Sequence, residues 1–89
     1  QVMSRDYTRE VGLYPNPVQD KLSIRMGKEV SGEIRIRAVA PSGQIVWDGQ
    51  AAISPFAPAS VDLSALSGGS YTLWIEYQSS KISRNIIKL

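Results

Sequence analysis

The chain has 89 residues, 43% of them apolar, with ten basic and eight acidic side chains and a net charge of +2, which allows one domain around one core and not two. It contains neither cysteine nor histidine, so disulfides, thiolate metal sites and Ser-His or Cys-His nucleophile pairs are excluded. The charges are interspersed, with no basic block of the kind that tracks phosphates, which argues against nucleic acid, and no apolar run approaches the roughly 20 residues of a membrane helix.

Residues 1 to 10, QVMSRDYTRE, are polar and without period. They are expected to form a linker or a frayed start, with the folded domain spanning residues 11 to 89. They hold no h-region of a signal peptide, and a chain opening at Gln1 is expected to be cut from a longer one. Pairing is expected to begin between Glu10 and Tyr14.

Tyr14-Pro15-Asn16-Pro17 follows. Each proline lacks an amide donor and disfavours helix at the residue before it. The element therefore reads as a stiff lead-in that withholds donors where the first strand hands over to the next. From Lys21 to Met26 the pattern alternates, Leu22, Ile24 and Met26 against Lys21, Ser23 and Arg25, the period of a half-buried strand. Gly27 and Gly32 bracket a turn. Glu33 to Ala40 alternates again, and Pro41-Ser42-Gly43 turns the chain into Gln44 to Gly49 as a hairpin.

Gln50 to Ser60 is uncharged and holds Pro55 and Pro58, which assigns it to a loop or a sheet edge. Within it Phe56, the sole phenylalanine, is expected to cover an open end of the fold, the other option being an apolar contact for a partner. A short strand is expected around Val61 to Leu63, one helical turn at Ser64 to Leu66, and a tight turn at Gly68 and Gly69. Ser70 to Tyr77 is the clearest strand, with Tyr71, Leu73, Ile75 and Tyr77 on one face. The alternation in Ile82 to Leu89 slips near Ile86 and Ile87, which predicts a bulge or a change of face. Seven short strands with turns between them, and no helix of three turns, make an all-β antiparallel sandwich.

Little in this pattern supports chemistry. Asp20, Glu33, Asp48, Asp62 and Glu76 fall in different turns and strands with no shared motif, and solvated roles are expected for them. No calcium-loop spacing exists, and Asp62 is placed to accept from amides of the following turn. Catalysis, cofactors and metals are therefore not expected. Trp47 and Trp74 read as packing residues, although two exposed coplanar rings would make a sugar platform.

Taken in order, Tyr14-Pro15-Asn16-Pro17, Asp20 to Ile24, the hairpin around Gly43, Asp62-Leu63-Ser64 with Leu66, Gly69 with Tyr71, and a lysine near the end, Lys88, resemble the C-terminal sorting domain of type IX (Por) secretion substrates in Bacteroidetes. The resemblance spans residues 11 to 89. It implies a seven-stranded Ig-like sandwich at the end of a cargo protein that passes the periplasm on its way to the outer membrane, the cell surface or the medium. The partners it implies are the outer-membrane translocon, a sortase-like protease and shuttle proteins, with anionic lipopolysaccharide joined to the cargo and not to this domain. In most members the domain is removed, and the resemblance implies processing in or before the polar residues 1 to 10; in some members the domain is kept.

Two readings stay open on the sequence: this sorting signal, and an accessory carbohydrate-binding or adhesive sandwich of an extracellular protein. For the first, recognition is expected through an exposed strand edge at Ile86, Ile87, Lys88 and Leu89, with unpaired main-chain groups and a charge contact from Lys88. Pro15, Asn16, Pro17, Gly43, Asp62, Leu63, Leu66, Gly69 and Tyr71 are expected to keep the fold, with Asn16 also a candidate for direct recognition.

Overall fold

The structure, a computed structural model, describes residues 11–27 and 30–89. The linker or frayed start expected over residues 1 to 10 lies outside the described residues, as do Lys28 and Glu29, on which the turn expected between Gly27 and Gly32 partly falls. The alternating segments form seven strands: β1 (Gly12–Tyr14), β2 (Lys21–Arg25), β3 (Gly32–Val39), β4 (Ile45–Ile53), β5 (Ala59–Asp62), β6 (Gly69–Tyr77) and β7 (Ser80–Lys88). They make a three-stranded sheet in the order β1-β2-β5 and a four-stranded sheet in the order β4-β3-β6-β7. Every pairing between these strands is antiparallel. This is the expected seven-stranded Ig-like sandwich.

Period two decides which residues meet between the sheets. Leu22 and Ile24 of β2 and Ala59 and Val61 of β5 come from one side. Ile34, Ile36 and Ala38 of β3, Leu73 and Ile75 of β6 and Ile82 and Ile86 of β7 come from the other, all buried in one cluster. Each fully buried aliphatic side chain stabilises the fold by about 1.5–3 kcal/mol relative to exposure. Tyr77 joins the cluster, and its hydroxyl accepts from Ser31 N at 3.3 Å and donates to Ser31 O at 3.2 Å. The end of β6 thereby holds the approach to β3.

Several expectations shift. β4 runs on to Ile53, so the uncharged stretch is first an edge strand, then a turn, and the short strand sits at Ala59–Asp62. Ser64 to Leu66 forms no helical turn; a single hydrogen bond from Leu66 N to Leu63 O at 3.0 Å closes it. The predicted bulge near Ile86 is absent: β7 pairs with β6 without a break from Ser80 to Lys88. Lys88 takes the inward position that apolar alternation would reserve for a hydrophobe, while Ile87 points outward. The register shift lies instead between Ala38 and Val39, opposite Trp47 and Ile45.

Candidate functional site

The last strand and the Tyr-Pro-Asn-Pro element meet. β7 is an edge strand, yet its terminal end is closed by the segment before β2. Val18, fully buried, forms a parallel bridge with Lys88, donating to Ile87 O at 2.8 Å and accepting from Leu89 N at 2.8 Å. Two residues earlier the Asn16 carboxamide continues the same ladder: its Oδ1 accepts from Ile87 N at 3.0 Å and its Nδ2 donates to Asn85 O at 3.4 Å. Both flanking peptide bonds, Tyr14-Pro15 and Asn16-Pro17, are cis. Prolines cannot donate to a sheet; here an asparagine side chain does the pairing that their backbone cannot.

The expected unpaired main-chain groups at the terminal residues are therefore not there. Ile87 N, Ile87 O and Leu89 N are all engaged. What these residues present is side chain, and it alternates. Ile86 and Lys88 are buried, at 1% and 7% exposure, whereas Ile87 and Leu89 stand at 49% and 62%. The Lys88 ammonium donates to the Leu89 main-chain oxygen at 3.0 Å, folding the side chain back onto its own neighbour. A shallow cleft beside the ladder is lined by Asn16, Pro41, Tyr71, Thr72, Asn85 and Ile87, among others.

The other motif residues hold turns. Gly43 has φ of +91° in the β3–β4 turn, where its amide donates to Ala40 O at 2.8 Å, a conformation that glycine adopts without steric cost. The Asp62 carboxylate accepts from Ser64 N at 2.9 Å, and this backbone hydrogen bond pulls its pKa below the ordinary value. Leu63 is fully buried and its amide donates to Asp20 O at 2.7 Å; Leu66 is buried beside it. Gly69 opens β6 opposite Lys88. The Tyr71 hydroxyl donates to Ser67 O at 2.7 Å, four residues upstream. This is the tyrosine corner of Ig-like sandwiches, which ties the start of a strand to the turn that feeds it.

The outer face of the four-stranded sheet carries a ladder of alternating charge. Asp48 accepts from Arg35 at 3.0 and 3.3 Å and lies 3.9 Å from Arg37, while Glu76 lies 4.0 Å from Arg37 and 3.5 Å from Lys81. The hydrogen bond from Arg35 is the main reason that the Asp48 carboxyl sits below its ordinary pKa. Each carboxylate is held by cations across neighbouring strands, and among the described residues no cluster of three or more carboxylates forms.

The tryptophans lie on opposite faces of this sheet. Trp47 packs against the core, its ring lying across Gly49, where an added Cβ would come within 2.6 Å of the indole. Trp74 is outward, beside Ile45 and Val39 in a second shallow cleft rimmed by Arg37, Glu76 and Lys81. They form no shared platform for a sugar ring. The close fit of Trp47 over Gly49 escapes the sequence reading, although a glycine two residues from a tryptophan inside a strand is its signature.

Phe56 does not cover an end of the sandwich. It is 95% exposed, so it contributes none of the roughly 2 kcal/mol that a buried phenyl ring supplies. Its turn is nonetheless well tied. Ser54 and Ala57 exchange main-chain hydrogen bonds at 3.1 and 3.3 Å, and Ser54 Oγ accepts from Phe56 N at 3.3 Å and Ala57 N at 3.1 Å.

Comparison with known proteins places this geometry. A family model described as the secretion system C-terminal sorting domain matches residues 12–89. No curated protein matches the chain. Among solved structures, the crystal structure of dimeric latent PorU from Porphyromonas gingivalis is similar, with a TM-score of 0.60 and 14% identity over 90% of this chain. The chain spans 9% of the length of that PorU chain, and the likeness is one of fold.

Proposed function

Because the chain belongs to the family of secretion system C-terminal sorting domains, we propose that it directs a cargo protein through the type IX secretion system across the outer membrane. The folded sandwich, and not a reactive group, is what the machinery reads. The translocon, the sortase-like protease and the shuttle proteins are its partners, and the protease usually removes the domain and attaches the cargo at the cell surface. In this reading the domain is not itself an enzyme and needs no cofactor.

The single observation that carries the reading is the family match across residues 12–89. The terminal residues Ile86, Ile87, Lys88 and Leu89 remain the recognition candidates, with distinct parts. Ile87 and Leu89 offer apolar side chains to a partner, and Ile86 and Lys88 anchor the strand that presents them, as their burial suggests. The clasp made by Asn16 and Val18 supports this division, since it occupies the main chain and leaves side chains to be read.

The test is a fusion of residues 1–89 behind a periplasmic reporter in a type IX-competent bacterium. The reporter should reach the cell surface or medium, with the domain removed or retained on it. A reporter that stays in the periplasm while the fused domain is folded would end the reading.

A further inference from the structure

The geometry points to Phe56 as a preformed anchor that a partner protein takes into an apolar pocket. The inference rests on the sorting reading and adds to it a second contact, one that does not involve the terminal strand. The ring is 95% exposed, and it is carried by a turn that two main-chain and two Ser54 hydroxyl hydrogen bonds hold in place, between Pro55 and Pro58. A large aromatic presented on a rigid support loses little conformational freedom on binding, which is the property of an interface anchor.

The surroundings say what kind of partner fits. No charged residue lies between Asp48 and Asp62, so the turn itself brings no charge to a contact, and the charges beside it, Glu33 opposite Ala52 and Arg35 opposite Gln50, belong to β3. Among the described residues no strand pairs with the outer edge of β4, which leads into the turn. Since Ile87 N and O face away from β6, the registers of β6 and β3 place the main-chain groups of Asp48, Gln50 and Ala52 on the outer margin of β4. A peptide segment can pair with those groups; a lipid surface cannot, and the stretch has no lysine or arginine to draw it to anionic headgroups. A second copy of this chain is also a poor fit. Its described clefts are open and of mixed lining, Val39, Ile45 and Trp74 with Arg37 and Glu76 in one and Pro15, Pro17 and Leu89 with Asp20 in another, and none encloses a ring.

The experiment uses the reporter fusion with Phe56→Ala, Phe56→Asp and Phe56→Leu. Export should fall about tenfold for the alanine and aspartate variants and stay within about threefold for leucine, which keeps an apolar anchor. Resistance of the domain to proteolysis should be the same in all, because the ring buries nothing. A photoreactive benzoylphenylalanine at position 56 should give one heavier adduct with a protein other than the fusion, and the same group at the exposed turn residue Gln78 should not. Undiminished export of Phe56→Ala beside an exported parent overturns the anchor and leaves the sorting reading standing. Adducts only with a second copy or with lipid also overturn it, and a parent that is not exported removes both readings.

Discussion

The Asn16 carboxamide does for the edge of β7 what the peptide group of a neighbouring strand would do, receiving the Ile87 amide on Oδ1 at 3.0 Å and giving its own N–H to Asn85 O at 3.4 Å. It extends by one step the parallel bridge that Val18 makes with Lys88. The lead-in and the last strand, separated by some seventy residues of chain, are stitched along a single line.

Asn16→Ala should therefore cost about 1–3 kcal/mol in chemical unfolding, the net worth of two hydrogen bonds at about 0.5–1.5 kcal/mol each. Hydrogen exchange at Ile87 N should quicken in the same variant. Asn16→Asp separates the two bonds: it keeps the acceptor and loses the donor, so Ile87 should stay protected while stability still falls. Equal exchange at Ile87 in all three proteins would show that the carboxamide holds nothing.

Tyr71→Phe removes only the hydroxyl that donates to Ser67 O at 2.7 Å. Unfolding should shift by about 0.5–1.5 kcal/mol toward the unfolded state. An unchanged thermal midpoint would deny the corner its role.

Gly49→Ala places a methyl group where the Trp47 ring lies, 2.6 Å away. Overpacking of this kind costs about 1–3 kcal/mol. In a Trp47→Leu background the same change should cost much less, and a double-mutant cycle measures that difference. A cycle that sums to zero would mean that ring and backbone do not meet.

Ile86 and Ile87 adjoin in sequence but not in role. Ile86→Ala empties a core position that is 1% exposed and should cost about 2–5 kcal/mol. Ile87→Ala, at half exposure, should leave stability nearly unchanged and lower export of the reporter. Export that follows stability alone across the pair would assign the terminal residues to folding and not to recognition.

Acid should unfold the domain in a definite direction. Asp48, hydrogen-bonded by Arg35, and Asp62, holding the Ser64 amide, both have folded-state pKa values below their ordinary ones. Groups so shifted contribute stability that is fully present above the unfolded pKa, near about 3.9, and is lost as pH falls through the folded value. No histidine is present to titrate between pH 5 and 8. The thermal midpoint should be level across that range and decline below about pH 4, and Asp62→Asn should flatten part of the decline.

The strands were legible because one face of each is buried, which makes period two visible in β2, β3 and β6. β7 misled the reading because Lys88 is inward and Ile87 outward, against the apolar order, and only the pairing with Gly69 and Ser70 reveals it. The turn role of Asp62 could be read locally, since carboxylate and amide are two residues apart. The clasp could not, because Asn16 and Ile87 meet only through the folded sandwich. Phe56 was misplaced for a related reason: apolar composition says that a ring would gain by burial, and only the packed structure says that nothing covers it.

Val18 and Lys88 run in the same direction, and this has a mechanical consequence. Tension applied between the chain ahead of Pro15 and Leu89 pulls the two segments along their common axis in opposite senses. The bonds at Asn16, Val18, Ile87 and Leu89 then carry load together in shear, and cannot be peeled one after another. A body dragged by its leading chain would load the β1–β2 pairing first, and this seam, reached after it, would stay closed until several contacts failed at once.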